Sequence, residues 1–349
     1  MRAALKMETA DCWALLARAS AVHLAIDGDG RGPTVRPVNG VVHDGALWFH
    51  GSPRGEKIAG LGRPALVCAH ENVAEIPSHF RDPERACPAT TLYESVELRG
   101  VLEEVTDLHA KAAGLQALMR RFQPEGGHAP VDADDPRYRS AVRGLLVARV
   151  RPESLVGKRK LMQDRPLDHV LPVLAGLWRR GRAGDLEALE RIRAAHPARP
   201  VPEFLRGPDG ATLCCAPGPR DAAPAVALVR DQYWIRGSSD ETLAAALAGS
   251  AAWVCARPPG GGPGDVIATA RAISDGRRSA WIYDVAVAEG QRARGLGTAL
   301  LRLLLDHPRL RAVERVNLQT RDAQRFYARM GFQVIQLQHD AMRREAARR

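Results

Sequence analysis

A β-type apolar run passes through a glycine-bearing turn into an apolar helix in Trp281-Ile-Tyr-Asp-Val-Ala-Val-Ala-Glu-Gly-Gln-Arg-Ala-Arg-Gly-Leu-Gly-Thr-Ala-Leu-Leu301. Gly295 and Gly297 let the backbone approach a ligand closely, and the first amides of the following helix have no intrahelical acceptor. These donors and the helix dipole favour an anion, and Arg292 and Arg294 add positive charge. Taken alone, the segment fits either a phosphate site or a plain strand-to-helix turn.

Strands and helices alternate on both sides of this turn. Strands are predicted over residues 223–229, 251–257, 266–272, 280–287, 313–320 and 332–337. Helices are predicted after Ser238 and over residues 295–306 and 322–330. Ser238 and Glu241 have the spacing of a capping box. The pattern predicts an α+β or α/β layer domain.

The same segment resembles the GNAT acetyltransferases, whose signature is Gln/Arg-x-x-Gly-x-Gly/Ala. Here the signature is Arg292-Ala-Arg-Gly-Leu-Gly297, preceded by the strand Asp284-Val-Ala-Val287. The family's next strand and helix are matched by Val316-Asn-Leu-Gln-Thr320 and Asp322-Ala-Gln-Arg-Phe-Tyr-Ala-Arg-Met-Gly-Phe332. The resemblance covers residues 222–337 and implies an acyltransferase that uses acetyl-CoA.

The resemblance also implies roles for individual residues. The amides from Arg292 to Thr298, including those of Arg294, Gly295 and Gly297, hold the CoA pyrophosphate. The backbone from Val285 to Val287 pairs with the pantetheine arm like an additional strand. Tyr327 occupies the position of the general acid, where a phenol returns a proton to the departing thiolate. Asp322 stands where many relatives carry asparagine.

The acceptor side is less defined by the sequence. An attacking amine must lose its proton, so a carboxylate or a water chain should accept it. Asp284, at the centre of its strand, is the candidate base, with a structural aspartate as the alternative. Trp234 and Asp275 are candidates for lining the acceptor pocket.

The N-terminal part has many short strands joined by tight turns, which is typical of a small barrel. A helix is predicted over residues 9–20 with Thr9 as its N-cap. Strands are predicted over residues 21–26, 34–42, 46–50, 65–70, 94–106 and 140–150, with helices over 56–60 and 107–122. Residues 76–91 are rich in polar groups and are expected to form a loop over a site.

This part resembles the pyridoxamine-phosphate-oxidase-like FMN-binding split barrels, and among them the nitroimidazole-resistance branch. The motifs are Leu47-Trp-Phe-His-Gly-Ser52, Gly55-Glu-Lys57, Tyr93-Glu-Ser-Val-Glu-Leu-Arg-Gly100 and Gly157-Lys-Arg-Lys-Leu-Met-Gln163. The resemblance covers residues 9–166 and implies FMN bound at a homodimer interface.

The split-barrel resemblance assigns residues to the flavin. It implies that Arg36, Ser52 and Lys57 hold the FMN phosphate. The backbone of Pro37 and Val38 meets the ring, and His50 lies near it. Without the resemblance, the turn after His50 fits either a phosphate site or an exposed hairpin followed by a basic helix start.

A proline-rich connector separates the two parts. We predict an FMN-binding split-barrel domain over 1–166, a helical and proline-rich connector over 167–221, a GNAT domain over 222–339 and a basic tail over 340–349. The predicted fold class is α+β, with an N-terminal split β-barrel, a helical connector and a C-terminal GNAT α/β domain.

The composition of the chain limits the kinds of ligand and partner that are expected. The formal charge is +10, yet only five of the 50 basic residues are lysine and the arginines are spread along the chain, which is typical of a GC-rich bacterial genome. Nucleic-acid binding is therefore not expected. The six cysteines include no C-x-x-C pair and no histidine at metal spacing, so no metal site is predicted. No apolar run of about 18 residues occurs, and the N-terminus lacks a signal core, so a cytoplasmic protein is expected.

Three functional hypotheses follow. The first is an N-acetyltransferase that transfers acetyl from acetyl-CoA to a small-molecule amine, fused to a probable flavin-binding barrel. The second is an FMN-dependent oxidoreductase whose GNAT domain senses CoA. The third is a non-catalytic ligand-binding regulator.

Overall fold

The computed structural model describes residues 2–27, 32–235 and 237–335. The chain divides into two compact units. The first extends to Gly176 and includes Arg191–Pro200, and the second includes Leu177–Glu190 and the residues from Val201 onward. The predicted connector, residues 167–221, therefore contributes to both units. No helix among the described residues is both long and apolar enough to cross a membrane.

The first unit is a curled antiparallel sheet that forms half of a split barrel. Its elements are α1 (Thr9–Arg18), β1 (Val22–Ile26), β2 (Thr34–Val38), β3 (Val41–His43), β4 (Ala46–Gly51), β5 (Pro64–Ile76), β6 (Thr90–Glu104), α2 (Leu108–Phe122), α3 (Pro136–Gly144), β7 (Leu146–Val150) and β8 (Ser154–Lys160). Two helices follow, α4 (Leu167–Arg180) and α5 (Asp185–Ala195). The strand order is β2-β1-β5-β6-β7-β4-β3, with β8 paired to β6.

Strand β6 joins the two halves of this sheet. It pairs with β8 as far as Arg99 and with β7 from Leu102 onward. Gly100 lies at the change of partner, where an added Cβ would be 1.9 Å from the carbonyl oxygen of Arg151. Only glycine fits such a close backbone approach, so this residue fixes where the sheet splits.

Buried residues of several elements form the core of the first unit. Helix α1 contributes Cys12, Leu15 and Leu16 to this core, which it shares with apolar side chains from β1, β4, β5, β6 and β7. Because leucine and valine side chains alternate inward along these strands, one face of the sheet is apolar. The core therefore fixes the register of β4 and its neighbouring strands, and β4 carries the exposed turn that follows it.

A cluster of ion pairs stabilises the other side of β6. Glu94 is 3% exposed and accepts hydrogen bonds from Arg18 at 2.7 Å and Arg159 at 2.6 Å, while Arg191 lies 3.0 Å away. Burial raises the pKa of Glu94, but the hydrogen bond from Arg159 and the surrounding positive charges outweigh burial and leave the pKa below its ordinary value. Arg18 and Arg191 also pair with Glu71. The cluster joins residues that are far apart in sequence, so local patterns did not reveal it.

Several expectations for the first unit were wrong in detail. Residues 140–150 do not form one strand, because they hold the end of α3 and then β7. Strand β8 was not predicted, and residues 34–42 are split between β2 and β3. Helix α1 begins at Thr9, and its N-cap Glu8 makes no capping bond with its side chain. Of residues 76–91, only the part between β5 and β6 is a loop.

The second unit is a five-stranded sheet with helices. Its elements are β9 (Thr212–Cys214), α6 (Pro219–Val229), α7 (Asp240–Ala248), β10 (Ala252–Arg257), β11 (Ala268–Ser274), β12 (Ser279–Val287), α8 (Leu296–Leu305), β13 (Arg315–Asn317) and α9 (Gln324–Ala328). The strand order is β13-β12-β11-β10-β9, with only β12 and β13 parallel. The buried leucines of α8 include Leu300, Leu301 and Leu304, and α8 packs on β10 and β11.

Two predicted strands of this unit are not strands. Residues 223–229 lie in helix α6, where Pro219 occupies the first turn and the Asp221 carboxylate accepts from the Gly218 amide at 2.9 Å. A short apolar run does not distinguish helix from strand by periodicity, and the helix-start signals were outside the predicted range. Residues 332–335 have no strand structure, and residues 336–337 and the basic tail lie outside the described residues.

The helix cap of α7 is displaced by one residue from the predicted position. Ser239, and not Ser238, is the N-cap, and its hydroxyl accepts from the Thr242 amide at 3.3 Å. We expect Ser239→Ala to lower stability by about 1 kcal/mol, since one helix-end amide loses its acceptor. In differential scanning calorimetry this is a fall in Tm of about 2–4 °C. Ser238→Ala should leave Tm unchanged, and equal shifts for both variants would contradict the assignment.

Candidate functional site

A cavity of about 1090 Å³ opens in the second unit where two parallel strands separate. Strands β12 and β13 pair only from Ser279 to Trp281 on β12. Beyond Trp281, the backbone groups of β12 that face away from β11 have no strand partner within the part of the chain that the structure describes. Val285 and Val287 lie on this free edge and line the cavity. The edge offers hydrogen-bonding groups to an extended ligand, except for the Val287 carbonyl, which accepts from Arg292.

The turn before α8 forms one end of the cavity. Gly295 is the N-cap of α8 with φ 84°, and Ala293 also has a positive φ of 60°. Ala299 is the first residue of α8 whose amide donates to a backbone acceptor, the Gly295 carbonyl at 3.0 Å. The amides from Ala293 to Thr298 donate to no acceptor among the described residues. Consecutive free amides at a helix N-terminus form a concave anion site.

Two predicted arginines flank this turn but already have partners. The Arg292 Nε donates to the Val287 carbonyl at 3.1 Å, and Arg294 forms an ion pair with Asp209 at 2.9 Å. Both side chains of the Arg294 pair are about half exposed, so solvent screens it and an anionic ligand can compete. Gly297 and Thr298 line the cavity. A Cβ at Gly297 would be 3.5 Å from the Val287 side chain, which is ordinary contact.

Asp284 occupies a β-bulge at the middle of the cavity. The β11–β12 register shifts between Thr269 and Arg271, and Asp284 has a positive φ of 55°. The carboxylate accepts from the Arg271 Nε at 2.5 Å and from the Trp234 Nε1 at 3.2 Å. Bulges beside active sites re-aim side chains, and strained residues concentrate at such sites. The ion pair with Arg271 competes with an amine proton for a carboxylate oxygen, which weakens Asp284 as a candidate base. The sequence did not reveal this ion pair.

Tyr327 lies on α9 and lines the cavity. Its ring contacts Phe326 and Phe332 edge-on, at centroid distances of 5.0 and 5.9 Å. Burial raises the pKa of Tyr327 to about 12, and the negative charges of Tyr233 and Asp322 in their ionised forms act in the same direction. The hydroxyl makes no hydrogen bond with any described residue, so it is free to donate one to a ligand. Asp322 does not cap α9, because the Thr320 hydroxyl accepts from the Ala323 amide instead.

The cavity brings together most of the residues predicted for the acyl-CoA site. Of the acceptor-side candidates, Trp234 lines it and Asp275 does not. Asp275 lies in the β11–β12 turn, where its carboxylate accepts from the amides of Arg277, Arg278 and Ser279. These hydrogen bonds lower the pKa of Asp275 and give it a structural place in the turn.

Sequence reasoning missed two residues of the acceptor side. Arg271 lines the cavity and pairs with Asp284. Tyr233 lines the cavity beside Trp234. The Tyr233 hydroxyl accepts from the Arg321 amide at 2.9 Å, which ties this loop to the start of the α9 segment. An arginine between small apolar residues in a predicted strand was the available signal for Arg271.

A buried polar group elsewhere in the second unit contains two cysteines. Cys214 and Cys255 face each other across β9 and β10, and Asp221 lies beside them. Arg257 donates to the Asp221 carboxylate at 2.8 Å and to the Cys214 sulfur at 3.5 Å. The Arg257 guanidinium therefore neutralises the Asp221 carboxylate, while its own buried Nε has no hydrogen-bond partner among the described residues.

Of the predicted flavin residues, Ser52 and Lys57 lie in the turn and the 3₁₀ helix that follow β4. Ser52 accepts from the Arg54 amide at 3.2 Å through its hydroxyl, and the turn continues into a 3₁₀ helix that contains Lys57. Lys57 forms no ion pair with the described residues, and the amides of Glu56 and Lys57 donate to no described acceptor. His50 is exposed at the end of β4. This group of donors fits a phosphate.

Arg36 fits a phosphate less well as it stands. Its Nε donates to Glu56 at 2.9 Å and its Nη1 to the Val35 carbonyl at 2.9 Å, so a phosphate must displace Glu56 to reach it. The same ion pair holds β2 beside the 3₁₀ helix. Pro37 is exposed and Val38 is buried on β2, which is an edge strand of the sheet.

Two family models match the chain, one in each of its two parts. Residues 8–159 match the family model described as pyridoxamine 5'-phosphate oxidase, and residues 225–332 match that of the acetyltransferase (GNAT) family. None of the curated proteins matches this chain. The chain is a fusion of a pyridoxamine-phosphate-oxidase-like domain and a GNAT acetyltransferase domain.

Solved structures are similar to each half separately. A 5-nitroimidazole antibiotic resistance protein of Bacteroides thetaiotaomicron is 20% identical over 44% of this chain and 86% of its own, with a TM-score of 0.36. An FAD and heme binding protein of Mycobacterium smegmatis is 22% identical over 44% of this chain and 71% of its own, with a TM-score of 0.38. A GNAT-family acetyltransferase of Xanthomonas campestris is 27% identical over 40% of this chain and 96% of its own, with a TM-score of 0.35.

Proposed function

We propose that this fusion protein is an N-acetyltransferase that transfers acetyl from acetyl-CoA to a small-molecule amine. The observation that carries the proposal is the row of free amides from Ala293 to Thr298 at one end of a cavity whose wall is the unpaired edge of β12. The amides suit the CoA pyrophosphate, and the free edge suits the amide groups of pantetheine.

In the proposed reaction, the amine nitrogen attacks the thioester carbon, and the carbon–sulfur bond breaks as the tetrahedral intermediate collapses. Tyr327 donates a hydrogen bond from its hydroxyl to the departing sulfur. Asp284, or a water that it orients, receives the proton of the amine. Because the ion pair with Arg271 competes with an amine proton for a carboxylate oxygen, we favour an orienting role for Asp284 with water as the immediate proton acceptor.

Calorimetric titration of the full-length protein with acetyl-CoA tests binding, and thiol release with a library of amines tests transfer. We expect saturable binding and thiol release that depends on an amine. Binding without transfer to any amine would instead favour a GNAT domain that senses CoA. Absence of binding up to millimolar acetyl-CoA would remove the proposal.

We further propose that the first unit binds FMN in a homodimer. Lys57, the Ser52 hydroxyl and the free amides of Glu56 and Lys57 would hold the phosphate, and the edge strand β2 would meet the ring. Val35 and Ile58 are 50% and 39% exposed beside this turn, which suits burial against a second subunit. FMN would supply redox chemistry to the first unit.

Lys57→Ala should weaken FMN binding about 5- to 10-fold. The variant loses one charge-assisted contact worth about 1–1.5 kcal/mol, at the low end because the site is exposed. Arg120→Ala, which removes an exposed cation from α2, is the control and should bind FMN normally. Fluorescence titration of the apoprotein measures both. A protein that fails to take up FMN would overturn the flavin proposal and leave the fold unchanged.

A further inference from the structure

The acceptor end of the cavity combines an aromatic wall with one arginine and one aspartate. Trp234 and Tyr283 are 38% and 39% exposed, and Tyr233 and Trp281 also line the cavity. Large aromatic surfaces are normally buried in a soluble protein, and exposed ones lining a concave site favour a flat apolar ligand.

Arg271 retains unused hydrogen-bond donors at this wall. Its Nε is committed to Asp284, and its guanidinium stacks on the Tyr283 ring with Cζ 5.0 Å from the centroid. Its two Nη groups donate to no described residue, although the side chain is only 14% exposed. Two adjacent Nη groups of a fixed guanidinium form the end-on fork that binds a carboxylate through both oxygens.

Asp284 provides the complementary half. Each of its oxygens accepts one hydrogen bond, and an ionised carboxylate has roughly four acceptor positions, so acceptor capacity for an amine remains. Its direct contact with Arg271 places a site for an amine immediately beside a site for a carboxylate. That spacing matches an α-amino acid, in which the amine and the carboxylate are attached to the same carbon.

We propose that the acceptor is an aromatic α-amino acid, which the enzyme acetylates on its α-amine. This inference rests on the proposed acetyltransferase function and names its substrate class. Arg271 binds the substrate carboxylate, Asp284 orients the amine, and the ring packs on Trp234 and Tyr283. The transfer forms the amide bond and breaks the thioester bond, CoA leaves as the thiolate, and the proton that the amine loses passes to the water that Asp284 orients.

The test compares L-tryptophan, tryptamine and L-alanine by thiol release from acetyl-CoA. Tryptamine lacks only the carboxylate, and L-alanine lacks only the aromatic ring. We expect kcat/KM for L-tryptophan to exceed that of either analogue by at least about 10-fold, from the two lost charge-assisted bonds or the lost ring contacts. Acetylation of tryptamine as fast as L-tryptophan would overturn the inference while leaving the acetyltransferase function intact.

Arg271→Lys tests the carboxylate contact without removing the charge beside Asp284. The variant should lose about 10-fold in kcat/KM for L-tryptophan and little for tryptamine, because lysine cannot form the fork. Arg321→Lys is the matched control, since Arg321 also stacks on a tyrosine, with Cζ 4.0 Å from the Tyr233 centroid, but lies outside the cavity lining. An equal loss with both substrates would assign Arg271 to structure alone.

Binding provides a readout that does not depend on turnover. L-phenylalanine titrated into the wild-type protein saturated with CoA should quench the fluorescence of Trp234 and Trp281, and phenethylamine should bind about 10-fold more weakly. Failure of L-phenylalanine to bind a protein that does bind CoA overturns the substrate class. Failure of CoA itself to bind overturns the proposed function instead.

Discussion

Gly295→Val is expected to raise the Kd of acetyl-CoA by about 10²-fold or more. At φ 84° a β-branched side chain is strained, and the turn can relieve this only by rotating its peptide groups. Rotation moves the free amides away from the pyrophosphate. Loss of two charge-assisted hydrogen bonds at about 1.5–3 kcal/mol each corresponds to 10²–10⁴-fold in affinity.

Gly290→Val is the matched control for this experiment. Gly290 lies in the 3₁₀ turn just before the free amides, and an added Cβ there meets nothing within 4 Å. It is not among the glycines with positive φ. Calorimetry should therefore show an unchanged Kd for this variant, with both proteins folded by circular dichroism. Unchanged affinity in Gly295→Val would mean that the turn does not bind the pyrophosphate.

Local patterns in the sequence predicted much of the second unit. The turn and α8 were predicted correctly because glycine conformation, free helix amides and leucine periodicity are properties of adjacent residues. Strand 223–229 was wrong because a short apolar run suits either a strand or a buried helix, and tertiary packing selected the helix. Gly100 in the first unit also could not be interpreted from local sequence, because the need for glycine there comes from the close approach of the Arg151 backbone.

In the candidate sites, too, some residues could be predicted from local sequence but their side-chain partners could not. Trp234, Asp284 and Tyr327 line one cavity, but the hydrogen-bond partners of Asp284 depend on strand register. Arg271 pairs with Asp284 beside the bulge that shifts β12 against β11. Arg36 is paired with Glu56 through the contact of β2 with the 3₁₀ helix. Neither pairing leaves a signal in a single sequence, since the partners are 13 and 20 positions apart.

Tyr327→Phe is expected to lower kcat by about 10- to 10²-fold with little change in the Kd of acetyl-CoA. Phenylalanine keeps the ring contacts with Phe326 and Phe332, so the variant removes only the hydroxyl. The hydroxyl acts when charge develops on the sulfur, and its contact is therefore made mainly in the transition state.

The size of this effect follows from acidity. Burial raises the pKa of Tyr327 to about 12, whereas an ordinary thiol has a pKa of about 8.5. Complete proton transfer from the phenol to the thiolate is therefore uphill, and the hydroxyl contributes through a hydrogen bond to the thiolate. A hydrogen bond to a charged group contributes about 1.5–3 kcal/mol, which corresponds to about 10- to 10²-fold in rate.

The raised pKa also predicts the pH dependence. A group with a pKa near 12 stays protonated up to about pH 11, so the wild-type kcat should not fall from Tyr327 ionisation between pH 8 and 10. Tyr138→Phe, which removes a hydroxyl bonded to the Ala129 carbonyl in the first unit, is the control and should keep normal turnover. Pre-steady-state measurement separates chemistry from product release. A Tyr327→Phe rate of chemistry within about twofold of wild type would assign Tyr327 to packing, because a hydroxyl that meets the developing thiolate cannot be removed without cost.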